Sequence, residues 1–599
     1  MILQSLADYY QRLVDDPEED IALPGFSEAK ISFALELSLD GELVDVIDLR
    51  TIKGKKNLRR TMRVPGAVAG KTSGIKPNFL WENTGYVLGA DKKGKPERAM
   101  KTFLAFRQLA HEIGDGIDDP GMKAVLAFLD AWSPDKAPEI PEWEEIAGEN
   151  VVFLLAGEKK WVHESKEVRE AWLRHYGQSQ DGETAQCLIT GKVLPIARIH
   201  TMIENVWGTN QNRGAIVSFN KDKTAFTSFG KDQNFNAPVS SEAAFAYTTA
   251  LNRLLGQESR QRIQIGDASV VFWSEKQSPV VKLFGSALGG ADQAQDTSLN
   301  QELALFLKSF KQGLPFDVNP ENPFFILGLS PNASRISVRF WLQSTVGQME
   351  KRLGEHLGDL EFGFGTEDTT PKSVNQLMLE TVSKRIKENR TGKVSSKLSG
   401  EVTRSVMTGS QYPRTLLTCL ISVIRSDQTI NHDRASLVKA YLCRLYRLSD
   451  TYRNDPTSME VTVSLDIESK NPAYRLGRLF AVLEAIQISA LGRGLNTTIR
   501  DSYLSSASSA PRATFPLLLR LSANHLKKVR SDKPGWAYKL DESQTDIING
   551  IEIAKYPATL NLEEQGLFFL GYYHQKAHGP AKDKSDQDQS DSAAETKED

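Results

Sequence analysis

Cysteine is scarce. The 599-residue chain has three, Cys187, Cys419 and Cys443, far apart and with no CxxC pair. That excludes a disulfide framework and a zinc knuckle of ordinary spacing, and fits a reduced, cytosolic and so cytoplasmic protein. Long hydrophobic runs are missing too. No stretch approaches the roughly 20 apolar residues that cross a bilayer, so no membrane partner is expected. The opening MILQSLADYYQRL lacks the charged start, apolar centre and small-residue cleavage site of a secretory signal. Net charge is also low. Lys plus Arg number 73 and Asp plus Glu 76, leaving −3, which rules out a uniformly basic, histone-like chain. No Ser stands in a G-x-S-x-G elbow.

What is present is charge segregation. Arg50 to Lys76 holds nine basic residues and no acidic one. Lys384–Asp450 carries thirteen basic and five acidic residues, and Arg475–Lys539 eleven and three, each a local balance of +8. The acids collect in Pro134–Glu149 and in the last twenty or so residues. A near-neutral total thus hides three positive blocks, as expected of a surface that binds a polyanion.

The hydropathy pattern predicts an α+β protein: a mixed α/β N-terminal region with a C-terminal helical bundle. Alternating apolar residues flank an Asp40-Gly41 turn in KISFALELSLDGELVDVIDLR, a hairpin signal. Val151–Gly157 (VVFLLAG) predicts a buried strand, and AIVSFN and AFTSFG short strands. Gly285–Ser298 predicts a linker. FFILGLS and RISVRFWL predict two strands around a Ser-Pro-Asn turn. Beyond about Pro371 the period becomes helical. Leu476, Leu479, Phe480, Leu483 and Ile486 make one apolar stripe, with Arg475 and Arg478 off it. Leu517, Leu518, Leu521, His525 and Val529 make another, flanked by Arg520, Lys527 and Lys528. The expected regions are 1–285, mixed α/β with a basic loop at 50–78; 286–370, linker and strands; 371–578, basic helical bundle; and 579–599, a polar tail with too little apolar content to fold.

Three short motifs suggest catalysis and are weak. Pro65–Thr72 (PGAVAGKT) has the GKT of a phosphate loop but proline in place of its first glycine, no buried strand before it and Pro77 after it. Asp135, Glu158 and Lys160 spell a PD…ExK signature, whose carboxylates would hold Mg²⁺ for a nuclease, yet Asp135 sits in a Pro-rich acidic loop. His574 and His578 have i,i+4 metal-ligand spacing but no third ligand nearby. Neither a catalytic residue, a cofactor nor a metal is therefore expected, with the Mg²⁺-dependent nuclease kept as the rival. Binding is better supported. Nine cations and four glycines lie in Arg50–Asn78, which runs into Lys76-Pro77-Asn78-Phe79-Leu80-Trp81. Lysine and arginine neutralise phosphates, and an amide such as Asn78 can read base edges. Gly208–Gly214 (GTNQNRG) and Lys231–Pro238 (KDQNFNAP) are Asn/Gln-rich and serve equally well as turns.

Seven segments, in order over almost the whole chain, carry a family resemblance: NFLWENTGYVLG from Asn78, CLITGK from Cys187, the Asn210–Asn252 stretch, RISVRFW from Arg335, YRLGRLFAVLEAIQ from Tyr474, LNTTIRDSYLSSASSAP from Leu495 and EQGLFFLGYYHQ from Glu564. They resemble the large subunit of the type I-C CRISPR surveillance complex, Cascade. The resemblance implies a non-catalytic subunit that recognises the PAM in double-stranded target DNA, promotes R-loop formation, holds the displaced single strand and recruits a helicase-nuclease. Implied partners are the crRNA and the backbone, guide-processing and small subunits. The C-terminal bundle should resemble that small subunit, with Met459 a candidate internal start. Expected duplex contacts are Lys53, Lys55, Lys56, Arg59, Arg60, Arg63, Lys71, Ser73, Gly74, Lys76 and Asn78. Expected contacts to the displaced strand are Arg475, Arg478, Arg493, Arg500, Arg520, Lys527 and Lys528.

Overall fold

The computed structural model describes residues 1–19, 21–53, 56–66, 75–90, 92, 96–178, 183–209, 213–220, 230–289, 297–333, 335–363, 371–450, 461–492 and 497–579. The fold is α+β, with strands concentrated toward the N-terminus and helices toward the C-terminus. The chain forms two compact units, Met1–Ser259 with Leu327–Trp341, and Arg260–Ile326 with Leu342–Asp599.

In the first unit, β1 (Phe26–Ile31) is followed by β2 (Phe33–Leu37) and β3 (Leu43–Asp48). Next come the short β4 (Thr51–Lys53) and β5 (Lys56–Leu58), β6 (Arg60–Pro65), β7 (Trp81–Asn83) and β8 (Asn150–Leu155). A four-stranded sheet has the order β3-β2-β8-β7. β2 runs antiparallel to β3 and parallel to β8, with Phe33 opposite Val151 and Leu37 opposite Leu155. The anticipated hairpin is there. Gly41 takes φ +81°, and a Cβ on it would lie 2.7 Å from the Phe128 backbone nitrogen, so both conformation and space require glycine. β8 is buried from Val151 to Leu155, as VVFLLAG predicts, because both faces of this central strand are covered. On one face Phe33, Leu35 and Phe153 meet the helical residues Phe103, Phe106 and Phe128. On the other, Ala34, Val152 and Trp81 meet Ile31, Met62 and Val64 from the β1–β6 ribbon.

The longer described helices of this unit are α1 (Ile2–Asp15), α2 (Pro96–Gly114), which supplies Phe103 and Phe106, α3 (Pro120–Ala131), which supplies Phe128, α4 (Lys166–Gln178) and α5 (Ser241–Leu254). Asp119 caps α3 by accepting from Met122 N, with Pro120 at the first turn. Two strand expectations change. AIVSFN contributes only a bridge from Ala215 to Arg335; the Arg335 guanidinium then holds Ser218 and Asn220 by side-chain bonds of 2.9 Å, in place of a ladder. Most of AFTSFG lies outside the described residues.

The second unit opens with β9 (Arg262–Ile265) and β10 (Ala268–Ser274). Later in the chain come β11 (Pro323–Asn332) and β12 (Arg335–Thr345), whose residues Leu327–Trp341 belong to the first unit; the sheet order is β9-β10-β11-β12. Ser330-Pro331-Asn332 belongs to β11, so the hairpin turns later than expected. The expected linker begins inside α6 (Pro279–Leu288), which Gly289 terminates at φ +91°. α7 (Thr297–Lys311) and α8 (Val346–Leu360) share a core of Leu283, Leu303, Phe306, Leu353 and Leu357 with α6.

The predicted helical region follows: α9 (Ser396–Thr408), α10 (Arg414–Asp427), α11 (His432–Leu448), α12 (Pro472–Leu491), α13 (Ile499–Ala507), α14 (Pro511–Asp532), α15 (Pro534–Asn549) and α16 (Leu562–His578). α12 packs against α14, α15 and α16, and every residue from Ala473 to Glu484 is buried. A single stripe is therefore the wrong picture for α12; it is enclosed on all sides. Its contact with α16 is backbone on backbone. A Cβ on Gly477 would stand 1.9 Å from the Phe568 carbonyl oxygen, and one on Gly571 would stand 2.1 Å from that of Tyr474.

Candidate nucleic-acid interface

The front of the basic block is a frame of short strands. β1 and β6 pair antiparallel, Phe26 opposite Pro65 and Ile31 opposite Arg60. Gly66 N donates to Gly25 O at 2.8 Å. Beyond it, residues 67–74, including Lys71, Ser73, Gly74 and most of PGAVAGKT, lie outside the described residues, as does Lys55. Lys53 and Lys56 pair across the β4–β5 hairpin through their backbones. Where the chain is described again it is tightly fixed. Phe79 stacks on Trp172 at 5.7 Å, Trp172 Nε1 donates to Gly25 O, and Trp81 Nε1 donates to Pro65 O, the last two at 2.6 Å. Both stems of the 67–74 segment are thereby tied to one framework.

Cations on that frame differ in what they can do. Arg50 is committed to structure: it pairs with Asp48 and Glu145 at 2.7 and 2.6 Å, and these hydrogen bonds raise its pKa further. Arg63 lies in β6, half-buried, its carbonyl held by the buried His163 at 3.1 Å. Arg59, Arg60 and Lys76 are exposed. Arg59 meets Glu149 at 2.8 Å, a half-exposed pair of little energetic weight, and Arg60 lies over the Trp161 ring at 5.7 Å. Asn78 is 9% exposed. Its amide nitrogen donates to the buried Glu82 carboxylate at 2.9 Å, and its Oδ1 sits 3.2 Å from where a Cβ on Gly66 would be. Asn78 thus locks the stem of the segment that follows Gly66.

The rear block separates more sharply. Arg475 and Arg478 are 8% and 6% exposed. Arg475 donates to the carbonyls of Ser469, Ile467, Asp546 and Ile547. Arg478 donates to the carbonyls of Asp466 and Ile467, both at 3.1 Å, and to Gln575 Oε1 at 3.0 Å. Burial lowers both pKa values. These arginines brace the 466–471 segment against the bundle, and the expectation that they line an outer face is corrected. The reason is the enclosure of α12. Arg500 is part-exposed and 3.7 Å from Glu484; Arg493 lies outside the described residues.

Arg520, Lys527 and Lys528 are different. They are exposed on α14 and, among the described residues, enter no ion pair. The helix buries Phe515, Leu518, Ser522, Leu526 and Val529. Positions 520, 524, 527 and 531 recur at i, i+4, i+7 and i+11 on the opposite side. The apolar stripe is thus rotated from the one expected: Leu517, Leu521 and His525 are at its margin. Asn524 and Ser531 join the polar face, which helical bookkeeping around Phe515 and Leu526 would have shown. Burial, and then the Lys528 charge, lowers the His525 pKa. A second group missed by counting whole blocks is Arg385, Lys387, Lys393, Lys397 and Arg404, all exposed. In the same block Arg434 and Arg444 are fully buried, Arg434 against Asp427 at 2.6 Å and Glu380 at 3.1 Å.

The catalytic motifs gain nothing. Asp135 is exposed on a 3-10 turn, and Glu158 and Lys160 are exposed after β8. Among the described residues, no three His, Cys, Asp or Glu side chains gather to hold a metal ion. His574 faces inward and shares a 2.8 Å hydrogen bond with Tyr474 OH, while His578 Nδ1 meets the His574 carbonyl at 3.2 Å. Cys187 is buried, its sulfur accepting from Ser240 N at 3.2 Å. No described helix is long and apolar enough to cross a membrane.

What the arrangement offers is exposed positive charge, which at Arg520, Lys527 and Lys528 has no ion-pair partner among the described residues. No curated protein matches the chain. A family described as "CRISPR-associated protein (Cas_Csd1)" matches residues 6–579. With nearly the whole chain inside that match, the protein belongs to the CRISPR-associated Cas_Csd1 family.

Proposed function

We propose that this protein is the non-catalytic large subunit of a type I-C Cascade. The 50–78 region contacts the PAM-bearing duplex, and exposed cations of the C-terminal bundle hold the displaced strand during R-loop formation. The observation that carries the reading is the division of α14 into a buried apolar face and an opposite face bearing Arg520, Lys527 and Lys528 without ion-pair partners among the described residues. Such cations release counterions when they meet phosphates, and they do so without reading sequence. Family membership supports the CRISPR setting. Sequence discrimination is then left to guide pairing, and the protein reads only the PAM.

In the duplex role, Arg59, Arg60 and Lys76, with Lys53, Lys55, Lys56 and Lys71, neutralise phosphates. Asn78 fixes the stem of the segment, and with Ser73 and Gly74 sets its approach to the PAM. A helicase-nuclease recruited by the assembled complex performs cleavage.

The test is binding of PAM-containing duplex to the assembled complex across a salt series. Replacing Lys55, Lys56, Arg59 and Arg60 by Ala flattens the salt dependence by about 0.9 for each phosphate no longer neutralised, and weakens good and bad PAMs alike. Asn78→Ala relaxes discrimination between them. An unchanged salt slope in the four-fold variant overturns the duplex assignment. Mg²⁺-dependent plasmid cleavage by the purified chain, abolished by Glu158→Ala, overturns the non-catalytic one.

A further inference from the structure

The basic face of α14 has a second candidate occupant, encoded in the same chain. Arg520 and Lys527 are seven residues apart, about 10 Å along the helix, with Lys528 beside them and no ion pair among the described residues to offset their charge. The sequence after Gly579 has the complementary composition. Residues 580–599 contain seven acidic and three basic side chains, a net charge of −4, and no aromatic or large aliphatic residue. They also lie beyond the family match, which ends at 579.

Connectivity favours an intramolecular encounter. α16, which ends at His578, and α14 both pack against α12. Twenty further residues reach up to about 66 Å when extended. A tethered ligand of this length acts at roughly millimolar effective concentration, enough for a weak electrostatic contact to compete.

We propose that the acidic segment 580–599 covers the Arg520/Lys527/Lys528 face of α14 when no nucleic acid is present, and is displaced by single-stranded DNA. The segment imitates the charge of the strand but offers no bases to stack and a lower charge density, so DNA wins where base pairing to the guide holds the strand nearby. Its effect is to suppress adventitious binding of single strands. The inference rests on the proposed strand-holding role of this face.

Two measurements on the purified chain test it. In fluorescence anisotropy with labelled oligo-dT at low salt, the chain ending at Gly579 binds about 3- to 10-fold tighter than the full chain. The advantage shrinks with added salt as screening weakens the contact. In the Arg520→Ala/Lys527→Ala/Lys528→Ala background, the same truncation gives no gain. Equal affinity of the full and shortened chains, or a gain that persists in the triple variant, overturns the proposal. Separately and without DNA, zero-length carbodiimide crosslinking followed by mass spectrometry joins Lys527 or Lys528 to a carboxylate in 580–599. Absence of that crosslink, with other crosslinks present, also overturns it. If the crosslink forms but the triple variant binds oligo-dT as well as the parent, the tail contact stands and the strand-holding reading falls.

Discussion

Helices α12 and α14 lie in one basic block and pack against each other, yet their cations have opposite fates. Arg475 and Arg478 of α12 donate to backbone carbonyls inside the bundle and serve as internal braces. Arg520, Lys527 and Lys528 of α14 face water with no ion pair among the described residues. The difference is set by the apolar residues around them. α12 is closed in by α14, α15 and α16, so any long side chain on it must find acceptors within the protein. α14 has one buried face and leaves the other to solvent. Net charge summed over a window therefore overstates the binding surface, and the lesson repeats at Arg434 and Arg444, fully buried among exposed cations of the preceding block.

The comparison is broken most severely at Gly477. An Ala there would drive a methyl into the Phe568 carbonyl. Backbone on both sides leaves no flexible group to yield, so Gly477→Ala is expected to cost more than about 4 kcal/mol, read as an absent or multiphasic thermal transition of the C-terminal bundle. Next is Arg478→Ala, which strips donors from two part-buried carbonyls and the buried Gln575, with an expected destabilisation of about 3 kcal/mol. Denaturant titration measures it, and a variant as stable as the parent contradicts the bracing role.

Buried imidazoles give a third, pH-dependent effect. Burial pushes His200 down to about 4 and His356, beside the Arg444 charge, to about 3. Each shares a 2.6 Å hydrogen bond with a tyrosine hydroxyl, Tyr247 and Tyr412 respectively. They stay neutral in the fold, while unfolded histidine takes up a proton near 6.5. The unfolded chain therefore binds more protons below about 6.5, and the stability present above that pH is lost progressively as pH falls toward 4. Melting temperature should drop between pH 7 and 5, and His356→Gln should flatten that slope. A flat profile in the parent refutes the neutral assignment.

Much of this was legible in the sequence for definite reasons. VVFLLAG announced a central strand because five consecutive apolar residues suit burial on both faces, and Asp40-Gly41 announced its turn because Gly41 alone tolerates the conformation and the space. The helical C-terminal region was visible in its period. What was not legible is which neighbours a helix has. Nothing in YRLGRLF says that Arg475 and Arg478 will meet carbonyls from 466–469 and 546–547, because those acceptors are brought by other segments. Asn78 was singled out for its amide, but its partner Glu82 and its packing against Gly66 belong to the tertiary structure.

The smallest effect on stability is the one that bears most directly on function. Replacing Arg520, Lys527 and Lys528 together by Ala removes charge from a solvated face, touches no buried group, and uses a residue with high helix propensity. Stability should therefore stay within about 0.5 kcal/mol of the parent. In the chain ending at Gly579, where no acidic segment competes, the slope of log affinity against log salt for single-stranded DNA should fall by about 0.7 for each cation that meets a phosphate, or about 2 in all. Arg478→Ala inverts the pattern, with a large drop in stability and an unchanged slope in the fraction that remains folded. If both variants lower the slope equally, the buried arginine contributes to the surface field after all, and the separation of brace from binding face collapses.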